Sequence, residues 1–324
     1  MKTKALVTGG MGFIGSNVVE LLLENGYEVV IVDDFSTSEN VPPDVDGLPF
    51  RLEIDGQRVD NSSTSWDINQ PPVRVIELNV NNSHKLIDTL KDMKYVFHLA
   101  AHPRVDPSIQ DPIKFHEENV NGSLKFFWAC KQAGVEKVIF SSSSSVYGDP
   151  EFTPTNEEGR LNPMSPYALH KLIGEQYLEL FHKLYGLNSV SLRYFNVYGN
   201  RQPAKGSYVP VMGIFFRQLN EGGPLSVTGD GLQARDFVNV KDVALANLKA
   251  AEADLPNGHH IYNIGSGKSY SIKKIAEHIH NKIKYIDPRF EPQTTCADIT
   301  KARKELGWNP GHELLDWITH NSPK

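Results

Sequence analysis

Five residues with strand character, Lys4-Ala5-Leu6-Val7-Thr8, run straight into glycines spaced three apart, Gly9, Gly12 and Gly15. A helical pattern follows from Ser16 to Asn25 and is closed by Gly26. A second apolar run, Glu28 to Val32, then ends in Asp33. Strand, glycine turn, helix and strand in that order commit the chain to a βαβ unit. The glycines allow the tight turn and let the backbone approach a pyrophosphate at the positive end of the helix. Gly9, Gly12, Phe13, Ile14 and Gly15 are therefore candidate contacts to a dinucleotide. Asp33, at a strand end, can accept hydrogen bonds from a ribose 2′-hydroxyl. A carboxylate there repels a 2′-phosphate and Asp34 adds a second charge, so NAD is favoured over NADP.

The rest of the chain extends that unit. Val73–Leu78, Tyr95–Leu99, Val135–Ser142 and Ser189–Tyr194 read as buried strands, with helices around 84–92, 112–133 and 166–185 between them. This alternation predicts an α/β fold, a doubly wound parallel (Rossmann) sheet with ligands at the carboxyl ends of its strands. After Asn196 the pattern changes to a helix at 211–220, a strand at Leu225–Thr228, a helix at 241–252, a strand at Ile261–Ile264 and helices near 271–280 and 298–306. The expected division is an NAD-binding domain at 1–195, to which 236–264 returns, and a smaller α/β substrate lobe at 196–235 and 265–324. Residues 47–72 interrupt the alternation. Within them Arg51 to Val59 alternates around Asp55-Gly56, a hairpin signal, and Asn61 to Ser65 reads as loop. Two readings of this excursion stand: a surface addition without chemical role, or an oligomer contact or flap near the adenosine end of the cofactor.

Tyr167 and Lys171 sit one helical turn apart, and Ser143 lies 24 residues upstream at the end of an apolar run. A free tyrosine has a pKa near ~10 and is a poor base at neutral pH. An ammonium within ~4–6 Å favours the phenolate and brings that pKa toward the working range. Positions i and i+4 share one helix face, so Lys171 can reach the Tyr167 ring. Ser143 supplies a hydroxyl for the oxygen whose proton is moved.

Together, Thr8 to Gly15, Ser143 and Tyr167-x-x-x-Lys171 resemble the extended short-chain dehydrogenase/reductase superfamily. Further stretches narrow the likeness: His98 to Ala101, Asn119-Val120-Asn121-Gly122, Ser141 to Gly148, Arg193-Tyr194-Phe195-Asn196 and Arg235-Asp236-Phe237. These resemble the nucleotide-sugar 4-epimerases, those acting on UDP-glucose and UDP-N-acetylglucosamine in particular. The resemblance implies internal redox at C4 of a UDP-sugar through a transient 4-keto intermediate. Tyr167 is implied as base, Ser143 as proton relay, and Lys171 as modulator of the tyrosine and ligand of the nicotinamide ribose. It also implies cofactor contacts at Ser36, Asn79, Val80, Leu99, Ala100, Ala101, Asn119, Ser141 and Tyr194, and a homodimer built from helices 112–133 and 166–185.

Several positions depart from the family pattern or refine it. Asn79 stands where the family usually carries Asp toward the adenine amino group; it either keeps that contact through its carbonyl oxygen or caps the next turn. The dehydratase acid pair is replaced by serines in Ser141 to Ser145, which disfavours elimination. For the substrate the resemblance implies Ser143, Ser144, Asn196, Gln202 and Arg235, with Arg289 one residue out of register. Thr295 occupies the position that gates the sugar pocket, and its small side chain admits an acetamido group. Pro103 and Arg104 stand where several acetamido-epimerases carry Gly-Ser, and Arg104 could instead meet the carboxylate of a uronic acid.

A net charge of −6 and a pI near 6.1 argue against nucleic acid or an anionic membrane as partner. No apolar run is long enough to span a bilayer, and the N-terminus goes directly into a strand, which leaves a cytoplasmic enzyme as the expectation. Cys130 and Cys296 form neither a metal spacing nor a disulfide framework. His98, His102 and the pair His259-His260 have no metal-ligand partner at useful spacing, so no metal is expected.

Overall fold

The computed structural model describes residues 2–36, 51–54, 57–58, 72–203, 209–288 and 291–323. The chain begins with β1 (Lys4–Thr8), α1 (Phe13–Glu24) and β2 (Glu28–Asp33), followed by β3 (Arg51–Ile54), β4 (Gln57–Arg58) and β5 (Pro72–Glu77). A 3₁₀ turn at Val80–Leu86 leads into α2 (Ile87–Leu90), then come β6 (Tyr95–His98), α3 (Val105–Gln110), α4 (Pro112–His116) and α5 (Gly122–Ala133). β7 (Lys137–Ser143), α6 (Pro166–Tyr185), β8 (Asn188–Tyr194), β9 (Asn196–Tyr198), α7 (Val211–Asn220), β10 (Leu225–Thr228) and β11 (Ala234–Asn239) follow. The last elements are α8 (Val240–Glu252), β12 (His259–Ile264), β13 (Ser269–Ser271), α9 (Ile272–Ile279), β14 (Ile283–Ile286), α10 (Thr300–Leu306) and α11 (Leu314–Asn321).

The large sheet has the order β12-β8-β7-β6-β1-β2-β5-β3-β4. Every neighbouring pair is parallel except β3 with β4. From β1 the chain winds outward through β2 and β5, then crosses back to β6 and winds the other way through β7, β8 and β12. The crevice at the carboxyl ends of β1 and β6 is the switch point where such sheets take their ligands. Both faces are covered, so the central strands are largely apolar, while β8 buries Ser189, Ser191 and Arg193. Ala5, Val7 and Ile31 pack against α1 and α8, while Leu6, Val30 and Val96 pack with Phe126, Phe127 and Leu178 of α5 and α6. That period of two places each large side chain in one of two cores, worth about 2 kcal/mol apiece.

A second architecture begins after β8. β9, β11 and β13 form a small sheet and β10 pairs with β14, around a third core containing Phe215, Val227, Ile275 and Leu314. On β11, Phe237 enters this core and Val238 enters the core of the large sheet, so the strand is shared between the two layers.

Two expectations need adjustment. The helix read at 84–92 is the 3₁₀ turn and the single turn of α2, because Asn79 caps the chain earlier. The helix read at 112–133 is interrupted at Glu117–Asn121 by a π turn, which adds a residue to the helical repeat there. The hairpin is present as β3 and β4, paired through Glu53 with Arg58 and Ile54 with Gln57, and β3 lengthens the large sheet beyond β5. The Asp55-Gly56 tip and the Asn61–Ser65 run lie outside the described residues.

Candidate active site

Gly9 has φ +66°, and a Cβ there would sit 2.7 Å from the Ala100 nitrogen, so the turns after β1 and β6 touch. A Cβ on Gly15 would lie 2.0 Å from the Gly9 carbonyl oxygen, which means the first turn of α1 is seated directly on the loop. α1 starts after Gly12 with no side-chain cap and no acidic residue in its first turn. The N–H groups of Phe13, Ile14 and Gly15 thus lie at a positive helix end that no side chain of α1 neutralises, a cradle that fits a pyrophosphate. Thr8 ties the second wall to the first: its hydroxyl accepts from the Ala100 N–H at 3.2 Å, beside Leu99 and Ala101.

At the end of β2, Asp33 accepts from the Met11 N–H (3.0 Å) and the Phe35 N–H (2.9 Å), which fixes its carboxylate beside the glycine turn. Burial raises its pKa, and these N–H bonds oppose the rise. Asp34 accepts from the Ser36 hydroxyl (2.6 Å) and from the Asn79 amide (2.6 Å). Of the two roles open to Asn79, capping is the one displayed: its oxygen accepts from the Asn81 N–H at 2.8 Å, leading the chain into buried Val80. Asn119 spends its amide on the backbone, accepting from the His102 N–H (2.7 Å) and donating to the His102 carbonyl (2.9 Å). It clamps the loop that carries Leu99 to Ala101. His98 is likewise structural, bonded to Thr8 and Ser123, and burial holds it near 3, so it is neutral.

α6 is capped by Ser165, carries Pro166 in its first turn and ends at Gly186 in left-handed conformation, which is why its limits were legible. Tyr167, Lys171 and Glu175 recur every four residues and share one face. Gly174 lets that face approach β7, since a Cβ would meet the Phe140 ring at 2.5 Å. Lys171, 5% exposed, donates to the Ser141 carbonyl at 2.7 Å and stands 5.8 Å from the centre of the Tyr167 ring. Burial brings its pKa down to about 8. Burial raises that of Tyr167; the Ser143 hydroxyl and the charge of Arg104 pull it back. Two cations therefore bear on the phenol, Lys171 beside its ring and Arg104 through its charge. Arg104 has φ +92° and ψ 150°, a region costing about 1–3 kcal/mol for a residue with a side chain. The helix behind it, α3, is held to α6 by the Tyr167 N–H donating to the Ser108 hydroxyl at 3.1 Å. The Ser143 oxygen accepts from Ser145, and half-buried Ser144 opens the turn that follows.

A network under this strand was not anticipated. Ser142 donates to Glu175 at 2.5 Å, and Arg193 grips both oxygens of Glu175 at 2.9 and 2.6 Å while reaching the Tyr147 hydroxyl at 2.8 Å. The available signal was Glu175 itself, eight residues after Tyr167. Ser141 donates to the Tyr194 hydroxyl (3.1 Å), which also bonds Asn247, and burial pushes that phenol up to about 12. These groups brace the carboxyl ends of β7 and β8.

On the opposite side, Asn196 donates to the Asp236 carbonyl at 3.0 Å and the Gln202 oxygen accepts from the Gly199 N–H at 3.4 Å. Arg235 is engaged by Glu291 at 2.6 Å. The Thr295 N–H donates to the Ala234 carbonyl at 3.0 Å, placing Thr295 against the same strand, with its hydroxyl buried. Arg289 lies outside the described residues.

With this geometry in view, a model of the NAD dependent epimerase/dehydratase family matches residues 5–265, and the chain belongs to that family. It is 34% identical to the UDP-glucose 4-epimerase of Mycolicibacterium smegmatis, over 97% of this chain and 96% of the other. The UDP-N-acetylglucosamine 4-epimerase of Methanobrevibacter ruminantium M1, solved with UDP-N-acetylmuramic acid, is 34% identical with a TM-score of 0.83 over 99% of each chain. The UDP-glucuronic acid 4-epimerase of Bacillus cereus, solved with UDP-glucuronic acid and NAD, is 30% identical with a TM-score of 0.82 over 98% of this chain and 97% of the other.

Proposed function

We infer that the protein is an NAD-dependent epimerase that inverts C4 of a UDP-sugar through a transient 4-keto intermediate. The observation that carries this reading is the meeting of Tyr167, Ser143 and Lys171 at the carboxyl end of β7, beside the glycine cradle of β1. Gly12, Phe13, Ile14 and Gly15 would hold the pyrophosphate, Asp33 the adenosine ribose and Lys171 the nicotinamide ribose. Bound there, NAD supplies hydride acceptance from C4 and its return. Tyr167 takes the C4 hydroxyl proton, directly or through Ser143, and gives it back after the keto-sugar has turned its other face. Lys171, charged below a pKa of about 8 and fixed by Ser141, holds the position from which a positive group favours the phenolate. Asn196, Gln202, Ser144 and Arg235 would hold the nucleotide sugar, with Arg235 on the diphosphate and Thr295 beside the sugar.

The substrate is UDP-N-acetylglucosamine, UDP-glucose or both, with room left by Thr295. A second reading is favoured by one observation: Arg104 heads α3, the helix joined to Tyr167 through Ser108. A carboxylate one carbon from C4 would meet the same guanidinium, as in UDP-glucuronate. Incubating the protein with these three UDP-sugars without added cofactor, then separating products by C4 configuration, tests both readings. Product formed only from UDP-glucuronate selects the second, and no C4 epimer from any of them overturns the first.

A homodimer through α4, α5 and α6 fits the exposed apolar residues there. Ile113 is 83% exposed beside a groove of about 570 Å³, and Trp128, Leu169, Leu180 and Leu184 continue the face. A cytoplasmic location fits the two buried free thiols, Cys130 and Cys296. Among the described residues no helix is long and apolar enough to cross a membrane.

A further inference from the structure

A line of buried polar groups runs from the helix that carries Tyr167 to the segment that carries Thr295. It starts at Ser142, which lies between Ser141, the carbonyl partner of Lys171, and Ser143, and donates to Glu175 of α6 at 2.5 Å. Arg193 on β8 clasps Glu175 and donates to the Tyr147 hydroxyl at 2.8 Å, its guanidinium 4.9 Å from the centre of that ring. The Tyr147 hydroxyl donates in turn to the side-chain oxygen of Asn263 on β12 at 2.7 Å. The Asn263 amide donates to the Thr155 carbonyl at 2.9 Å. Thr155 is bridged to the run that follows Thr295: its N–H donates to the Cys296 carbonyl at 2.8 Å, and its carbonyl accepts from the Asp298 N–H at 2.9 Å.

Every residue of the line is 3% exposed or less. Apolar side chains of similar volume are often as stable in such a place, so what the polar line adds is direction, since each bond has a length and an angle. The Tyr147 hydroxyl is its joint, where the half on β7, α6 and β8 meets the half on β12 and the Thr295 segment. Burial holds that phenol at about 12, so it stays protonated and accepts from Arg193 while donating to Asn263. A parallel tie runs through Glu157, whose backbone carbonyl accepts from Arg193 at 3.1 Å and whose carboxylate accepts from the Asn263 N–H at 2.7 Å. That tie keeps the two halves joined when the hydroxyl is removed.

We propose that Tyr147 is a positioning residue for the epimerisation, its hydroxyl setting the spacing between the Ser143–Tyr167 pair and the sugar wall at Thr295. The proposal rests on the reading of Tyr167 as base and of Thr295 as that wall. The phenol must meet C4 in two orientations of the sugar, so a wall that shifts relative to the phenol slows the reaction in both.

The experiment measures kcat per UDP-binding site, with sites counted by calorimetric titration of the cofactor-loaded protein with UDP. The substrate is whichever of UDP-glucose, UDP-N-acetylglucosamine and UDP-glucuronate the wild type epimerises. Tyr147→Phe keeps the ring in the core and removes only the hydroxyl. Its kcat per site should fall at least about tenfold, the scale of a small misplacement at a reacting centre, while Kd for UDP stays within about twofold of the wild type. Tyr262→Phe is the matched control, since it removes a hydroxyl bonded to Glu305 at 2.7 Å from the next, equally buried position of β12, outside the line; its kcat should stay within about twofold. Asn263→Ala breaks the same joint from the other side, so the double variant with Tyr147→Phe should be little slower than the slower single one. Wild-type kcat per site in Tyr147→Phe refutes the proposal, because a merely structural tyrosine changes the number of sites and leaves their rate alone. Equal losses in Tyr147→Phe and Tyr262→Phe refute it, as do losses that multiply in the double variant. A wild type that epimerises none of the three sugars overturns the functional reading beneath it.

Discussion

Replacing Lys171 with Met should remove activity and, at neutral pH, remove a burden on the fold. The ammonium is 5% exposed, and burial lowers its pKa from an ordinary 10.5 to about 8. The sign follows from proton binding: between those values the unfolded chain holds more protons than the native one, so stability rises with pH. Below pH 8 both states are protonated and the native state carries the whole cost of the buried charge. Above 10.5 both are neutral and the cost is gone. The gap from 10.5 to about 8 corresponds to about 3 kcal/mol. Lys171→Met has no such group, although it loses the bond to the Ser141 carbonyl at 2.7 Å, a constant offset of about 1–3 kcal/mol. The measurement is urea unfolding of cofactor-stripped wild type and variant from pH 7 to 10.5. The difference between their unfolding free energies should move by about 3 kcal/mol in favour of the wild type over that interval. A flat difference would show that Lys171 does not titrate there, and the argument from its burial would fail.

Tyr167→Phe should reduce kcat by at least about a hundredfold, the low end for losing a proton-transferring group, while Kd for UDP stays within about twofold; a variant that keeps most of its kcat has another base. Denaturing the purified protein should release NAD(H), because the proposed ribose site at the end of β2 presents the carboxylates of Asp33 and Asp34, which would repel a 2′-phosphate; recovery of mainly NADP refutes that placement. Glu175→Ala leaves the guanidinium of Arg193, 1% exposed, without its carboxylate and should cost about 3–5 kcal/mol in urea unfolding. A loss under about 1 kcal/mol would mean that the network does not brace β7. Thr295→Tyr should remove activity on UDP-N-acetylglucosamine by about a hundredfold and spare UDP-glucose, while an equal fall in kcat/KM for both would make Thr295 a general packing position.

What was legible in the chain was whatever neighbours in sequence decide. The glycine turn, α1 and β2 are one local unit, and Asp33 falls at its end by counting. α6 announces itself through Ser165, Pro166 and Gly186, and its four-residue repeat already put Tyr167 and Lys171 on one face. The short strands β9, β11 and β13 escaped because each exists only through partners far along the chain: Phe237 pairs with Asn196, and Arg235 with Tyr270. The π turn at Glu117–Asn121 escaped for a different reason, since a single extra residue leaves composition and periodicity nearly intact.

A motif fixes positions and leaves side-chain roles open, as Asn119 and Tyr194 show. Both lie where the family pattern puts cofactor contacts, and both spend their polar atoms on the protein: Asn119 on the backbone of His102, Tyr194 on Ser141 and Asn247. A motif records that a residue type is needed at a place, and bracing a loop needs its type as strictly as touching a ligand does. Arg104 makes the converse point. Its residue type departs from the acetamido-epimerase pattern and its backbone is strained, yet its charge reaches the phenol that the proposed chemistry uses. Such strain persists only where surrounding structure imposes it. Replacing Arg104 with Ser should therefore change substrate choice. If the guanidinium receives a carboxylate, kcat/KM for UDP-glucuronate should fall at least tenfold more than for UDP-glucose, the scale of about 1.4 kcal/mol. Equal losses for the two sugars would assign Arg104 to the phenol alone and sink the uronic acid reading.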